Sequence, residues 1–406
     1  MSKYNLDDFH KALDGGTICV LDVETTLIER GKSVFCEPPR YLVGETLMYT
    51  LFPGRKTKCF CSTDVYKLRD TLASTNPDIV VGHNLPFDLK LLNDPLGLAR
   101  ASRPTIFNTN CIYWDTSVAA YMMSGQTHKF PSLEKSLVDV GLGHLSKDSE
   151  VSEAIKAGTC PSTLHSNILE RYLHQDVLIT KELFNKQVEI LNDRRDKSFF
   201  NLVLQHMQWR YITFRMSMNG LNLDRAGAVT KKASLEKKSN ELAGDLCDFM
   251  CLTLPEKYDK RITPNSNQQV KLCILGGKAE QTRYVPTGTF YKSGSREGKE
   301  RLKKEVSEVD IHCMPTKMGC TLERITKVDE EALEEISTML VEAHDIQFIS
   351  DLLEYRKINK DLKTYYTGYV DKASSDDLFH PEYRHTVTPT GRISCAYPNL
   401  MNLPKH

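Results

Sequence analysis

No stretch of the 406-residue chain is apolar for long enough to span a bilayer, and the opening MSKYNLDDFHKALDGG has no basic-then-apolar leader. These two gaps predict a soluble chain acting in the cytoplasm, without a membrane partner. Net charge is missing as well, since 53 Lys and Arg balance 53 Asp and Glu. A nucleic-acid binder of this kind must concentrate its cations locally and offset them elsewhere, as an acidic metal site would. A disulfide or zinc framework is also absent. The 12 cysteines are scattered, and neither Cys59-Phe60-Cys61 nor Cys247 with Cys251 has zinc-site spacing or a His or Cys cluster nearby in sequence. Ordinary thiols in a reducing compartment are expected. No internal repeat, Walker loop or GxGxxG is found.

What is present begins with Thr17 to Thr26. Ile18, Cys19, Val20 and Leu21 leave no polar side, which predicts a central strand buried on both faces. Side chains alternate along a strand, so Asp22 and Glu24 project from one face. Two carboxylates held together at the end of a buried strand repel and lose solvation, and a hard divalent cation between them relieves both costs. A lone Asp-x-Glu lying in water beyond the strand is the bland alternative, so further ligands are needed.

Further strands are predicted over Tyr41 to Phe52, before a Pro53-Gly54 turn, and over Asp78 to Gly82. The second runs into His83-Asn84-Leu85-Pro86-Phe87-Asp88, where Pro86 suits a helix first turn with Asn84 or Leu85 at the cap. Asp88 in that turn is favoured by the helix dipole, a structural reason that stands beside any functional one. Asp115 to Met123 and Ser132 to Val140 read as helices. A longer helix from about Leu164 to Leu191 aligns Ile168, Tyr172, Asp176, Ile179 and Leu183 on one face. Asp176 among apolar partners is poorly explained as a solvated charge.

Alternating strands and helices predict an α/β domain over 1–192, closed by the polar string Asn192 to Lys197. The chain then reads as helical over 193–380. Asn219-Gly220 is a C-cap, Asp224 an N-cap, Asn265 the cap of a short helix, and helices follow over Asp329 to Leu340 and His344 to Val370. The span 278–325 interrupts this with weak periodicity and with cations including Lys278, Arg283, Lys292, Arg296, Lys303 and Lys304 around Tyr284, Phe290 and Tyr291. A solvated loop and a nucleic-acid surface both fit such a run.

The motifs LDVETT, HNLPFD and YLHQD, in that order, resemble those of the DEDD exonucleases, in the subclass with Tyr four residues before the last Asp. That resemblance implies a ribonuclease H-like domain with a mixed sheet flanked by helices. It also implies two Mg²⁺ or Mn²⁺ ions held by Asp22, Glu24, Asp88 and Asp176, with Tyr172 orienting the nucleophile. Thr26 and Asn84 would line the substrate cleft, and Ile28 or its neighbours would wedge against the terminal base.

The end of the chain narrows the family. Leu353-Glu354-Tyr355-Arg356 with Lys360 and Lys363, then Thr390-Gly391-Arg392-Ile393-Ser394 and Pro398-Asn399-Leu400-Met401-Asn402-Leu403-Pro404, resemble motifs of family A DNA polymerases. The implied order is an exonuclease domain over 1–192, a mostly α-helical thumb over 193–380 with a basic insertion at about 278–325, and the start of a palm over 381–406. Primer–template DNA is the implied partner. Arg356, Lys360 and Lys363 would grip its backbone, Arg392 would reach the minor groove at the primer end, and Asn399 and Asn402 would support that region. No Asp-Tyr-Ser-like palm motif or fingers helix is found before His406. Synthesis is therefore expected to need a separate C-terminal chain, the sequence being either one piece of a polymerase encoded in two or a truncated gene product, and a processivity factor could dock at 278–325. The rival readings are a stand-alone exonuclease acting on RNA and a non-catalytic DNA-holding subunit.

Overall fold

The computed structural model describes residues 4–403 except 29–32, 36–37, 52–56, 95–110, 146–148, 256–257, 259–260, 292–296, 371–372 and 374–376. The Pro53-Gly54 turn, Lys292, Arg296 and Pro404 lie outside the described residues. The chain divides into two compact units, one built from 1–223 with 372–406 and the other from 224–371.

The first unit is built on five strands, β1 (Ile18–Thr25), β2 (Tyr41–Tyr49), β3 (Lys58–Ser62), β4 (Ile79–Gly82) and β5 (Ile112–Asp115). They lie in the order β3-β2-β1-β4-β5, with β1 antiparallel to β2 and parallel to β4. As its composition requires, β1 is central, and Ile18 to Leu21 are fully buried. Helices α1 (Leu6–Gly15), α2 (Val65–Thr75), α3 (Pro86–Asn93), α4 (Thr116–Met123), α5 (Leu133–Asp139), α6 (Ser149–Lys156), α7 (Ser166–Asp193) and α8 (Lys197–Asn219) belong to the same unit. One core joins Ile18, Val20 and Leu47 to Leu173 and Val177 of α7 and to Phe200 and Leu204 of α8. A second joins Cys19, Leu21 and Val23 to Leu68 and Leu72 of α2 and Leu89 of α3. Gly44 permits the second contact, because a Cβ there would stand 2.5 Å from Leu68 and 2.9 Å from Val23.

The break in packing lies after Leu223, not within the polar string Asn192 to Lys197. That string is a tight turn. Asp196 accepts from Ser198 N at 2.9 Å to cap α8, and Phe200 packs edge-on against Phe9 and Trp114 of the sheet domain's core. A polar run at a helix–helix corner carries the same composition as a linker.

The two-residue strand β6 (Leu221–Asn222) precedes the second unit, which starts with α9 (Arg225–Thr253), capped by Asp224. Helix α10 (Asn267–Leu275) is capped by Ser266, one residue beyond the expected Asn265, whose side chain instead donates to the Tyr355 hydroxyl at 3.0 Å. The span with weak periodicity is a long antiparallel ribbon, β7 (Gly277–Phe290) with β8 (Glu300–Ile311). Helices α11 (Glu330–Met339) and α12 (Ala343–Asp361) follow, and α12 runs on through a π-helical turn at Leu362–Thr367 to Val370. Leu246, Ile274, Leu333, Ile349 and Leu352 form this unit's own core.

The chain then returns to the first unit. Strand β9 (Leu378–Phe379) pairs with β6, and β10 (Glu382–Arg384) pairs with β11 (Ser394–Ala396). Both pairs pack in the first unit, so 372–380 leaves the expected helical segment. Among the described residues no helix is long and apolar enough to cross a membrane.

Candidate active site

Beyond Val20 the strand β1 loses β4 as its neighbour, because their pairing stops at Val20 with Val81. The sheet opens there, and Asp88 fills the gap: its Oδ1 accepts from Val23 N at 3.1 Å. Such crevices at strand ends are where open sheets take ligands. Asp22 and Glu24 stand half-buried on the face covered by α7, and α7 brings in Asp176 on its buried side. Oxygens of Asp22, Glu24 and Asp176 all lie within 4.8 Å of one another. Tyr172, one turn before Asp176, is buried as well.

Three carboxylates this close on a partly dry surface repel, and a cation with oxygen preference is what such a donor set fits. Asp88 feels the same environment. Burial pushes its carboxyl well above the usual range, with the charges of Asp115 and Glu24 adding to the rise, while backbone donors, Val23 N among them, oppose it. Of the four acids expected in one centre, the oxygens of three converge and Asp88 is a buried neighbour anchored to the backbone of β1.

The β4–α3 loop is held by residues the motif reading did not single out. Asn84 adopts a left-handed backbone, φ 60°, and its N–H donates to Asp115 Oδ1 at 3.0 Å. The cap of α3 is Leu85, which makes no side-chain capping bond, with Pro86 at the first helical position. Arg210 on α8 ties three segments together, donating to Asp115 Oδ2 at 3.2 Å, Asn84 Oδ1 at 2.8 Å and Tyr383 O at 2.9 Å. Nothing in the sequence marks Arg210, which is one cation in a long helix. Beside it opens a cavity of about 440 Å³ whose lining includes Ile28, Asn84, Phe87, Phe130, Arg210 and Tyr383. Thr26 is outside that lining; its hydroxyl accepts from Arg40 N at 3.0 Å across the β1–β2 turn.

The C-terminal segment is sewn to this wall. Phe130 N donates to Thr386 O at 3.0 Å, and His385 Nε2 meets Thr213 Oγ1 at 2.7 Å. Burial, with help from the Arg210 charge, pushes the His385 imidazole down to about 3. Arg392, Asn399 and Asn402 are exposed; the Arg392 carbonyl accepts from Thr388 Oγ1 at 2.7 Å, and Asn399 Oδ1 accepts from Met401 N at 3.2 Å.

In the second unit Lys360 and Lys363 are exposed on α12 and its π-helical continuation. Arg356 behaves differently. Its guanidinium donates to Val328 O and to Asn267 Oδ1, the latter at 2.8 Å, and its burial lowers its pKa. It forms one wall of an open groove of about 720 Å³ that also carries Lys271 and Lys327.

Comparison with known proteins adds lineage to this geometry. Residues 302–406 match the family model for DNA polymerase family A. DNA polymerase I of Borreliella burgdorferi is 22% identical over 99% of this chain, which spans 37% of that protein. DNA polymerase I of Lactococcus lactis subsp. lactis is 41% identical over 42% of this chain and 18% of its own length. The DNA polymerase of Bacillus phage SP01 is 22% identical over 59% of this chain and 25% of its own. The chain thus spans about a third or less of these relatives. Among solved structures, the POL domain of Pol1 from M. smegmatis, in complex with DNA primer-template and dNTP, has a similar fold. The TM-score is 0.58 at 14% identity, over 98% of this chain and 54% of that one. These matches relate the chain to family A DNA polymerases.

Proposed function

We propose that this chain removes 3′-terminal nucleotides from DNA, as the proofreading part of a family A DNA polymerase. The observation that carries the reading is the convergence of Asp22, Glu24 and Asp176 oxygens within 4.8 Å, from a strand and a helix distant in sequence. The sheet order β3-β2-β1-β4-β5 and the opening beside β1 support a ribonuclease H-like domain. Divalent cations such as Mg²⁺ or Mn²⁺ supply, when bound, an acidified water and charge neutralisation at the leaving oxygen.

The chain's own groups do the rest. Asp22, Glu24 and Asp176 would hold the cation, and Asp88 presents a carboxyl beside them that is fixed to Val23 N. Tyr172 sits one helical turn from Asp176, where its hydroxyl orients a nucleophilic water. Ile28 and Asn84 line the cavity beside Arg210, which we assign to a frayed 3′ end. Lys360, Lys363 and Arg392 supply exposed cations for phosphate and minor-groove contacts, which sense duplex geometry without reading sequence. The exposed ribbon β7–β8 is assigned to a processivity partner.

The test is Mg²⁺-dependent release of 3′ nucleotides from single-stranded DNA and RNA oligonucleotides. Asp22→Ala with Glu24→Ala abolishes it while DNA binding persists. Release retained by that double variant refutes the site, and faster cleavage of RNA than DNA refutes the substrate.

A further inference from the structure

We propose that Glu45, Cys59 and His174 form a second cation site, of the zinc class, distinct from the catalytic carboxylates. Glu45 comes from β2, Cys59 from the edge strand β3 and His174 from α7, and their ligand atoms all lie within 4.8 Å of one another. Glu45 Oε1 and His174 Nδ1 are 2.6 Å apart, and Glu45 is 3% exposed. The buried carboxylate is thus held with an imidazole already turned onto it, at the mouth where an exposed thiol stands.

The register explains how the three meet. In β2 Glu45 lies opposite Asp22 of β1 on one side and Cys61 of β3 on the other, and Leu47 lies opposite Cys59. Residues facing each other across antiparallel strands share a face, so Cys59 and Cys61 both point to the side of Glu45 and α7. The spacing Cys-x-Cys carries no zinc signature in sequence, because the histidine arrives from a helix more than a hundred residues on.

The donor set selects the ion. Asp22, Glu24 and Asp176 offer only hard oxygen, whereas this site offers one sulfur, one nitrogen and one oxygen. Mg²⁺ disfavours such a set, and Zn²⁺ accepts all three donors in tetrahedral geometry, with water or Cys61 in the fourth position. Burial and the Glu45 charge push both thiols up, Cys61 to about 11, and a cation here reverses that field. Binding displaces the proton of Cys59. It also pins the edge strand to α7, the helix that carries Tyr172 and Asp176 on neighbouring positions. The site stands independently of the nuclease reading.

The experiment is titration of the full chain with Co²⁺ in excess Mg²⁺, followed by Zn²⁺. One equivalent of Co²⁺ gives a near-ultraviolet thiolate-to-cobalt charge-transfer band, and Zn²⁺ displaces it. Cys59→Ser removes the band, His174→Ala weakens Co²⁺ binding by about 100-fold or more, and Asp22→Ala with Glu24→Ala keeps the band unchanged. Both ligands mutated alone are exposed, and circular dichroism establishes that their variants fold. Absence of the band in the unmutated chain, or its survival in Cys59→Ser, overturns the proposal.

Discussion

Replacing Arg210 by Ala removes three hydrogen bonds at once, to Asp115, Asn84 and the Tyr383 carbonyl. Asp115 is 2% exposed at its side chain and loses an ion-pair partner, with Arg210 itself 14% exposed. Breaking a buried pair by deleting one member costs about 3–5 kcal/mol. Asp115 Oδ1 keeps its donors from Asn84 N, Ser117 N and Ser117 Oγ, which places the cost at the lower end, about 3 kcal/mol. For a unit of this size each kcal/mol shifts the unfolding midpoint by about 2–4 °C, so Arg210→Ala lowers it by about 6–12 °C. Calorimetry of the full chain measures this. Asn84 loses its side-chain tie to α8 in the same step, so under the proposed function 3′ release falls even at temperatures where the variant is folded. Arg210→Lys restores charge without the fork and falls between the two. A midpoint within about 2 °C of the unmutated chain would refute the bracing role and with it the account of how the β4–α3 loop is held.

Three further outcomes follow from the same coordinates. His385 is held neutral down to about pH 3, so the unfolded chain takes up a proton that the folded one refuses as pH falls below its ordinary 6.5. Stability of the first unit is full above that pH and drops by about 1.4 kcal/mol per pH unit between 6.5 and 3; His385→Gln removes this contribution, which denaturant titrations at pH 7, 5.5 and 4.5 detect as a shallower fall. Arg356→Ala destabilises the second unit by about 1–3 kcal/mol. Lys360→Ala and Lys363→Ala leave its stability within about 0.5 kcal/mol and instead reduce the salt dependence of DNA binding by roughly one counterion each. Gly44→Ala crowds Leu68 and Val23 and costs about 1–3 kcal/mol in thermal denaturation, with no direct effect on cation affinity.

The residues that could be read from the sequence are those whose neighbours along the chain carry the signal. Asp22 and Glu24 followed from the unbroken apolar run before them, and Tyr172 with Asp176 from a four-residue spacing on a periodic helix. Strand β5 escaped because Ile112 to Asp115 runs straight into the apolar helix α4, and the two periods merge. The ribbon β7–β8 escaped for a different reason: exposed on most of both faces, it shows no apolar alternation. Arg210 and the Glu45, Cys59 and His174 cluster depend on segments that only the folded chain brings together. Arg356 had the right helical spacing for a phosphate contact, yet spacing does not reveal that Val328 O and Asn267 already take two of its five N–H donors.

The pairing of β6 with β9 fastens the points where the chain departs for the second unit and comes back. Leu221 and Phe379 are register partners across that two-residue ladder. Within the first unit, residues 224–371 are thus a loop whose ends are paired, and the entropy of closing it grows only slowly with its length. Such an arrangement lets the intervening body be lengthened, shortened or exchanged over evolutionary time while the sheet and the segment sewn to it stay in place.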